Sequence, residues 1–185
     1  IVPRHPQRFD EVAALIESQG FGVARRSSAS APADSEIWLG DSLGEMALYY
    51  GLASVALLGG SFEPLGGQNL IEAAACGCPI VMGPSTFNFA EAADLALSAG
   101  AAQRVPDMEH AVMAALGLVG NAAGNAAKRE AMVEAAIAFS SSNRGAAQRT
   151  AAAVLALVQD VPRPVRASGT VPLERTEPGF SDRVD

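Results

Sequence analysis

Residues 59–72 limit the fold of this chain more than any other stretch, because they place four glycines between an apolar run and a helical pattern. The apolar run, residues 54–58, predicts a buried strand, and residues 70–75 predict the first turns of a helix. A loop of this kind points backbone N–H groups at an anion, and glycine lets the main chain approach a phosphate closely. The stretch therefore predicts either a nucleotide or sugar-phosphate site or, more simply, a tight and well-capped turn.

Asn69 and Glu72 lie at the start of that predicted helix, at the three-residue spacing of a capping box. We predict Asn69 as the N-cap, while Glu72 either completes the box or turns outward to accept hydrogen bonds from a ribose diol. The stretch matches neither the dinucleotide-binding pattern G-x-G-x-x-G nor the P-loop, which requires Gly-Lys followed by Ser or Thr. These residues alone therefore leave the identity of the ligand open.

Composition excludes some classes of function. The 185-residue chain is long enough for one domain with a substantial core, and its formal net charge of −7 argues against general binding to nucleic acid. Cys76 and Cys78 have no histidine near them in the sequence, so they cannot form a four-ligand zinc site without distant partners. We predict no metal site and no cofactor, and we interpret the cysteines as small packed residues of a reduced, cytosolic protein.

Neither a membrane span nor a signal peptide is predicted, because no apolar run approaches the ~20 residues that a bilayer requires. The chain opens with Ile1-Val2-Pro3, which resembles the end of a strand entered midway, so we expect a soluble piece of a longer protein. Prolines, charges and glycines dominate its last residues, which leaves little to bury there. We therefore predict one domain over residues 1–159 and a disordered tail over residues 160–185.

Predicted strands alternate with predicted helices along most of the chain, which indicates a parallel sheet with helices on both faces. In such a sheet, ligands bind beyond the carboxyl ends of the strands. The loops expected at that edge follow Val2, Leu39, Leu58 and Met82. The first loop carries Arg4 and His5, which suit an anionic ligand. The second carries Ser42 and Glu45, which we predict as the N-cap and N3 residues of a helix.

Five motifs in this order resemble those of one family. Pro-Arg-His-Pro-x-Arg-Phe begins at Pro3, Asp-x-x-Gly-Glu at Asp41 and Gly-Gly-Ser at Gly59. Gly-Gly-x-Asn-x-x-Glu-x-Ala-x-x-Gly-x-Pro-x-x-x-Gly-Pro begins at Gly66, and Thr-Phe-Asn-Phe begins at Thr86. Together they resemble the C-terminal half of 3-deoxy-D-manno-octulosonic acid (Kdo) transferase.

The resemblance implies the C-terminal half of a glycosyltransferase-B fold, a Rossmann-like parallel sheet that binds the donor, CMP-Kdo. The family transfers Kdo, with inversion of the anomeric centre, to a lipid A precursor in lipopolysaccharide biosynthesis. It works at the cytoplasmic face of the bacterial inner membrane, so the parent protein is expected to be membrane-associated. A separate N-terminal domain holds the acceptor and a catalytic carboxylate. We therefore predict no catalytic residue in this chain and expect the chain alone to transfer nothing.

The resemblance also implies contacts with CMP, position by position, with Arg4 against the phosphate. The expected set is Pro3, Arg4, Leu43, Gly44, Glu45, Asn69, Leu70, Ile71 and Glu72. Further candidates are His5, Gly60, Ser61, Gly67 and Gln68. Leu43 and Gln68 stand where the family often has Met and His, which bears on fine contacts with the donor.

Other interpretations account for the same residues. Another glycosyltransferase-B enzyme, or an epimerase that uses a UDP-sugar, needs the same glycine loop and ribose carboxylate. A non-catalytic interaction domain with a vestigial pocket needs neither. The last predicted helix, residues 145–159, has an alanine-rich face, and we expect it to favour self-association of the isolated chain.

Overall fold

The computed structural model describes residues 1–28, 35–120, 122, 124–142 and 145–159. The chain divides into two compact units, Ile1–Arg144 and Gly145–Asp185. The predicted disordered tail, residues 160–185, lies outside the described residues, and the domain boundary at residue 159 stays a prediction.

The first unit alternates strands and helices, as the sequence predicts. Its first part contains α1 (Phe9–Ser18), β1 (Val23–Arg25), β2 (Ile37–Leu39) and α2 (Met46–Leu52). Its second part contains β3 (Ala56–Leu57), α3 (Leu70–Ala75), β4 (Ile80–Met82), α4 (Ala90–Ser98), β5 (Ala102–Arg104), α5 (Met108–Val119) and α6 (Asn125–Ser142). Short 3-10 turns, Pro6–Arg8 and Phe87–Phe89, precede α1 and α4.

The described strands form two parallel sheets. In the smaller sheet β1 pairs with β2, and Ala24 lies opposite Trp38. In the larger sheet β4 lies between β3 and β5, and Val81 lies opposite Leu57 and Gln103. Because the strands of each sheet are parallel, the loops that follow them leave from one edge of that sheet.

The first residues of the chain run beside β2. The Ile1 amino group donates to the Trp38 carbonyl at 2.8 Å, and the Gly40 amide donates to the Ile1 carbonyl at 2.8 Å. This is the hydrogen-bond pattern of a parallel pair. Pro3 and Arg4 therefore leave near the carboxyl end of β2, where the loop to α2 also begins.

Helices cover both faces of the larger sheet. Consecutive residues of a strand point to opposite sides, so alternate residues of β4 pack against different helices. Ile80 and Met82 pack in a core with residues of α3, α4 and α6. Val81 packs on the other face against Ala111 and Leu118 of α5. All of β4 is buried, which explains its uninterrupted apolar sequence. The smaller sheet is covered by α1.

α2 begins later than the sequence predicts. Glu45, and not Ser42, occupies the N-cap position, and it makes no side-chain cap. The prediction of Ser42 as the N-cap is wrong because its hydroxyl donates instead to the Glu45 carboxylate. The chain thus stays in a loop until Met46.

The second unit contributes one described helix, α7 (Ala146–Gln159). Three of its large apolar side chains, Val154, Leu155 and Leu157, are exposed. Across both units, no helix within the described ranges combines the length and the apolar character needed to cross a bilayer.

Candidate functional site

Asp41 fixes the start of the loop between β2 and α2. Its side chain is 2% exposed, and Arg25 Nε donates to Oδ2 at 2.7 Å. The amide and the hydroxyl of Ser27 donate to the same carboxylate at 2.7 and 2.5 Å. Burial opposes ionisation, but the hydrogen bonds from Ser27 and Arg25 outweigh it and lower the pKa of Asp41 from 3.8 to about 2. This ionised carboxylate ties the loop to the end of β1.

Glu45 lies at the other end of the loop, and both of its oxygens are held. Arg26 Nη2 donates to Oε1 at 2.8 Å, and Ser42 Oγ donates to Oε2. The Tyr49 hydroxyl shares a 2.7 Å hydrogen bond with Ser42 Oγ. The contacts from Ser42 and Arg26 lower the pKa of Glu45. An ionised carboxylate only accepts hydrogen bonds, and each oxygen keeps a free lone pair for a ligand.

Leu43 and Gly44 form the exposed tip between these carboxylates. The Leu43 side chain is 70% exposed. Gly44 has a φ of +78°, a conformation that favours glycine. A Cβ placed on Gly44 would meet no other atom within 4 Å. The main chain of the tip is therefore accessible to a ligand.

Asn69 caps α3, as the sequence predicts. Its Oδ1 accepts a hydrogen bond from the Ile71 amide at 3.1 Å, and its Nδ2 donates to Glu72 Oε1 at 2.9 Å. Leu70 is wholly buried and anchors the helix, whereas Ile71 is 40% exposed. Glu72 is exposed, so the Asn69 amide holds a carboxylate that faces solvent.

The glycine loop, residues 59–68, folds against the loop that follows β4. Ser61 is wholly buried, and its Oγ donates to the Leu58 carbonyl at 2.6 Å and accepts from the Gly83 amide at 2.8 Å. The Gly67 amide donates to the Gly60 carbonyl at 3.0 Å. Ser61 thus uses its hydroxyl inside the protein.

Gly66 closes this loop with a φ of +80°, and a Cβ there would overlap the side chain of Asn88. Its amide donates to Ser85 Oγ at 3.0 Å, and Asn88 Nδ2 donates to the Leu65 carbonyl at 3.0 Å. Gln68, which follows, is half-buried. The loops after β3 and β4 are therefore joined by several hydrogen bonds.

Pro3, Arg4 and His5 continue from the segment that pairs with β2. Pro3 is half-buried, whereas Arg4 and His5 are exposed. The His5 carbonyl accepts a hydrogen bond from the Arg8 amide at 3.0 Å and so starts the 3-10 turn. The Arg4 guanidinium is accessible to a ligand at the end of β2.

A cleft of about 480 Å³ lies where α2 packs against α3. It is lined by Gly44, Met46, Ala47, Glu72, Ala75 and Cys76. It therefore unites Gly44 and Glu72, two expected CMP contacts that are far apart in the sequence. Its walls are mostly apolar, and the Glu72 carboxylate and the Cys76 thiol supply polar groups.

Similarity to known proteins extends over most of this chain, although no family model matches it. It is 51% identical over 152 residues to the 3-deoxy-D-manno-octulosonic acid transferase of Bordetella pertussis, across 81% of this chain and 35% of that protein. The protein of the same name from Haemophilus influenzae is 44% identical over 92 residues, across 49% of this chain and 22% of that protein. Among solved structures, the C-terminal CMP-Kdo binding domain of WaaA from Acinetobacter baumannii matches with a TM-score of 0.68 and 34% identity, across 75% of this chain and 72% of that one. This chain belongs to the Kdo transferase family.

The predicted family and the predicted α/β fold are thus confirmed. The chain spans only about a third of the length of the Bordetella pertussis Kdo transferase, since the match covers 35% of that protein. The matched solved structure is itself a C-terminal domain, which agrees with the half of the family that the motifs resemble.

Sequence reasoning missed four residues that line the cleft: Met46, Ala47, Ala75 and Cys76. A signal existed for Ala75 and Cys76, because they lie three and four positions after Glu72 and so share its side of the helix. Met46 and Ala47 enter the cleft only because α2 packs on α3, which no local pattern encodes.

The two cysteines have different surroundings. Cys78 is 1% exposed, and its burial, followed by the influence of Cys76, raises the pKa of its thiol to about 11. The prediction of a packed residue is confirmed for Cys78, whereas Cys76 is half-buried beside the cleft. Both are free thiols, and in the part of the chain that the structure describes no group of three His, Cys, Asp or Glu side chains is arranged to hold a metal ion.

Proposed function

We propose that this chain is the donor-binding domain of a Kdo transferase and that it binds CMP-Kdo in the cleft between α2 and α3. The observation that carries the proposal is the meeting of Gly44 and Glu72 at one cleft, because the resemblance assigns both residues to CMP. The volume of about 480 Å³ falls within the usual range for small-molecule sites. The solved relative, a CMP-Kdo binding domain, supports the same ligand.

In this proposal each part of the nucleotide meets a residue of suitable chemistry. Arg4 neutralises the phosphate, which a chain with a net charge of −7 must do locally. Glu45 and Glu72 accept hydrogen bonds from hydroxyl groups of the ligand, and Asn69 orients Glu72. Leu70, being buried, contributes only main-chain atoms.

The remaining proposed contacts form the walls of the CMP site and carry no charged group that the proposal uses. Pro3, Leu43, Gly44 and Ile71 complete the set around CMP. The further candidates are His5, Gly60, Ser61, Gly67 and Gln68. Of these, Ser61 is the weakest candidate for direct contact, because its side chain is wholly buried and its hydroxyl is already used.

The proposed reaction of the whole protein breaks the bond between the anomeric carbon of Kdo and the phosphate oxygen, and CMP leaves with the electron pair. The acceptor hydroxyl of a lipid A precursor forms the new bond and gives its proton to a base in the N-terminal domain. Glu45 does not suit that base, because its lowered pKa makes it a weak proton acceptor. We therefore propose that the chain alone binds the donor and transfers nothing.

The same proposal includes the cellular location of the whole protein and the association state of the isolated chain. The parent works at the cytoplasmic face of the bacterial inner membrane, where its N-terminal domain holds the lipid A precursor. The isolated chain self-associates through the exposed apolar residues of α7, Val154, Leu155 and Leu157.

Calorimetric titration of the 185-residue chain with CMP, and separately with UMP, tests the proposal. We expect CMP to bind more tightly than UMP. Arg4→Ala and Glu72→Gln should each raise the Kd of CMP by about tenfold or more, since a hydrogen bond to a charged group contributes about 1.5–3 kcal/mol. Glu130→Gln, at an exposed position of α6, is the matched control and should leave the Kd unchanged.

The titration has two outcomes that would contradict the proposal. A preference for UMP would favour an enzyme that uses a UDP-sugar. An Arg4→Ala variant that binds CMP as well as the parent would favour a non-catalytic interaction domain.

A further inference from the structure

Residues at the end of β1 and just after it contact both ends of the loop that joins β2 to α2. Arg25 and Ser27 hold Asp41 at the start of the loop. Arg26, which lies between them in sequence, reaches Glu45 at the other end with a 2.8 Å ion pair. Three consecutive residues of β1 and its extension are thus devoted to one loop, and that loop carries three of the proposed CMP contacts.

The two arginines differ in what their ion pairs do for the fold. The Arg25 partner is 2% exposed, so the loss of Arg25 would leave a buried carboxylate short of a donor. The side chains of Arg26 and Glu45 are 41% and 30% exposed, and an ion pair with that exposure contributes little to stability. The placement of Arg26 is therefore not explained by the stability of the fold.

We propose that Arg26 is a positioning residue of the nucleotide site, which together with Ser42 holds the Glu45 carboxylate in the orientation that accepts a hydrogen bond from the ligand. This inference rests on the proposed function. The geometry supports it because Arg26 binds Oε1 and Ser42 binds Oε2, so the carboxylate cannot rotate without breaking one of these contacts.

Charge gives Arg26 a second effect on the same site. The nucleotide brings a phosphate anion to a region that already holds the Glu45 and Glu72 carboxylates. Arg26 offsets one of these negative charges at a distance of 2.8 Å, which lowers the repulsion that an incoming anion meets. Without Arg26, the Glu45 carboxylate would be held by Ser42 at one oxygen only, and its negative charge would lose this ion pair.

A double-mutant cycle in the 185-residue chain tests this role, with the Kd of CMP as the readout. Arg26→Ala should raise the Kd about five- to tenfold in the parent but less than about twofold in a Glu45→Gln background, because its effect passes through the carboxylate. Arg26→Lys should recover most of the affinity, since the contact uses a single N–H. Lys128→Ala, an exposed lysine of α6, controls for the loss of one positive charge.

The melting temperatures of two variants distinguish the role of Arg26 from that of Arg25. Arg26→Ala should melt within about 2 °C of the Lys128→Ala variant, whereas Arg25→Ala should melt lower by several times that amount. A large drop in melting temperature for Arg26→Ala, not recovered by Arg26→Lys, would show a structural role and overturn the inference.

The remaining outcomes distinguish this inference from the proposed function. If the parent does not bind CMP, or Glu72→Gln leaves its Kd unchanged, the proposed function fails and takes the inference with it. If CMP binds and Glu72→Gln weakens it while Arg26→Ala does not, the inference alone fails. An equal loss from Arg26→Ala in the parent and in the Glu45→Gln background would mean direct contact with the ligand, which also overturns a positioning role.

Discussion

Arg25 Nε lies 2.7 Å from Asp41 Oδ2, and this ion pair joins the end of β1 to the start of the loop that carries Glu45. The same guanidinium reaches Asp10 of α1 at 2.7 Å. One arginine therefore connects a helix, a strand and the proposed nucleotide loop. Because Asp41 is nearly inaccessible to water, this junction depends on the ionised state of its carboxylate.

The first prediction concerns acid stability. The pKa of Asp41 is lowered from 3.8 to about 2 in the folded chain, so its contribution is fully present above about pH 4 and is lost as the pH falls toward 2. Asp41→Asn should lower the free energy of unfolding at pH 7 by about 1.5–3 kcal/mol, the range for hydrogen bonds to a charged group. Urea unfolding at pH 7 and pH 2.5 measures this, and the loss should be smaller at the lower pH.

Asp94→Asn is the matched control for this measurement. Asp94 also pairs with an arginine, Arg104, but its side chain is 70% exposed. We expect a loss of about 0.5 kcal/mol or less, as is usual for an exposed pair. Equal losses for the two variants would contradict the importance of burial at Asp41.

The second prediction concerns thiol reactivity. Raising the pKa of Cys78 from 9.0 to about 11 reduces its thiolate fraction about a hundredfold, and its burial blocks access. Iodoacetamide at pH 8, followed by mass spectrometry, should modify Cys76 first and Cys78 only after unfolding in urea. Cys76→Ser should abolish the early labelling, and CMP should slow it in the parent, because Cys76 lines the cleft. Rapid labelling of Cys78 in the folded chain would contradict its packed position.

The third prediction separates backbone conformation from crowding at two glycines. Gly20 and Gly66 have φ values of +84° and +80°, but a Cβ on Gly20 meets nothing within 4 Å, whereas one on Gly66 overlaps Asn88. Gly20→Ala should cost about 1–2 kcal/mol for the left-handed conformation alone. Gly66→Ala should cost a further ~1 kcal/mol, because the Asn88 side chain must give up its hydrogen bond to the Leu65 carbonyl to make room. Urea unfolding compares the two variants, and similar losses would show that the Asn88 side chain moves aside without cost.

The fourth prediction uses the single tryptophan as a reporter of binding. Trp38 lies 5.4 Å from the Tyr49 ring in an edge-to-face contact, and the Tyr49 hydroxyl bonds to Ser42, which holds Glu45. CMP should therefore change the fluorescence of Trp38. Tyr49→Phe keeps the ring but removes the hydroxyl, and it should make that change at least about twofold smaller.

Tyr50→Phe provides the comparison for this reporter. It removes the hydroxyl of the other tyrosine, next along α2, and should leave the fluorescence change as in the parent. An undiminished change in Tyr49→Phe would show that the hydrogen-bond chain does not carry the signal.

Much of the fold was predictable because the strands and helices have strong local patterns. β4 is an uninterrupted apolar run buried on both faces, and Asn69 follows the N-cap rule. The start of α2 was not predictable, although Ser42 and Glu45 match a capping box. Arg26, which directly follows β1, competes for Glu45, and a residue from a distant part of the chain does not appear in a local pattern.

Some residues of the candidate site could likewise be predicted from the sequence, and others could not. Gly44 and Glu72 were both predicted from the sequence, and they lie at one cleft because α2 packs against α3. Arg26 was not anticipated, since its role depends on a contact across the smaller sheet. Ser61 looked like a ligand residue from its place in the glycine loop, yet both the Leu58 carbonyl and the Gly83 amide use its hydroxyl.

The two hydrogen bonds of the Ser61 hydroxyl link the glycine loop to the loop after β4. Gly83 follows β4, and a side chain there would press on the main chain of Ser61 in the loop after β3. The Gly66 amide and Ser85 Oγ join the same two loops, so a displacement of one loop strains the contacts that hold the other. A substitution such as Gly83→Ala, outside the lining of the cleft, would therefore displace the glycine loop as well as the loop after β4.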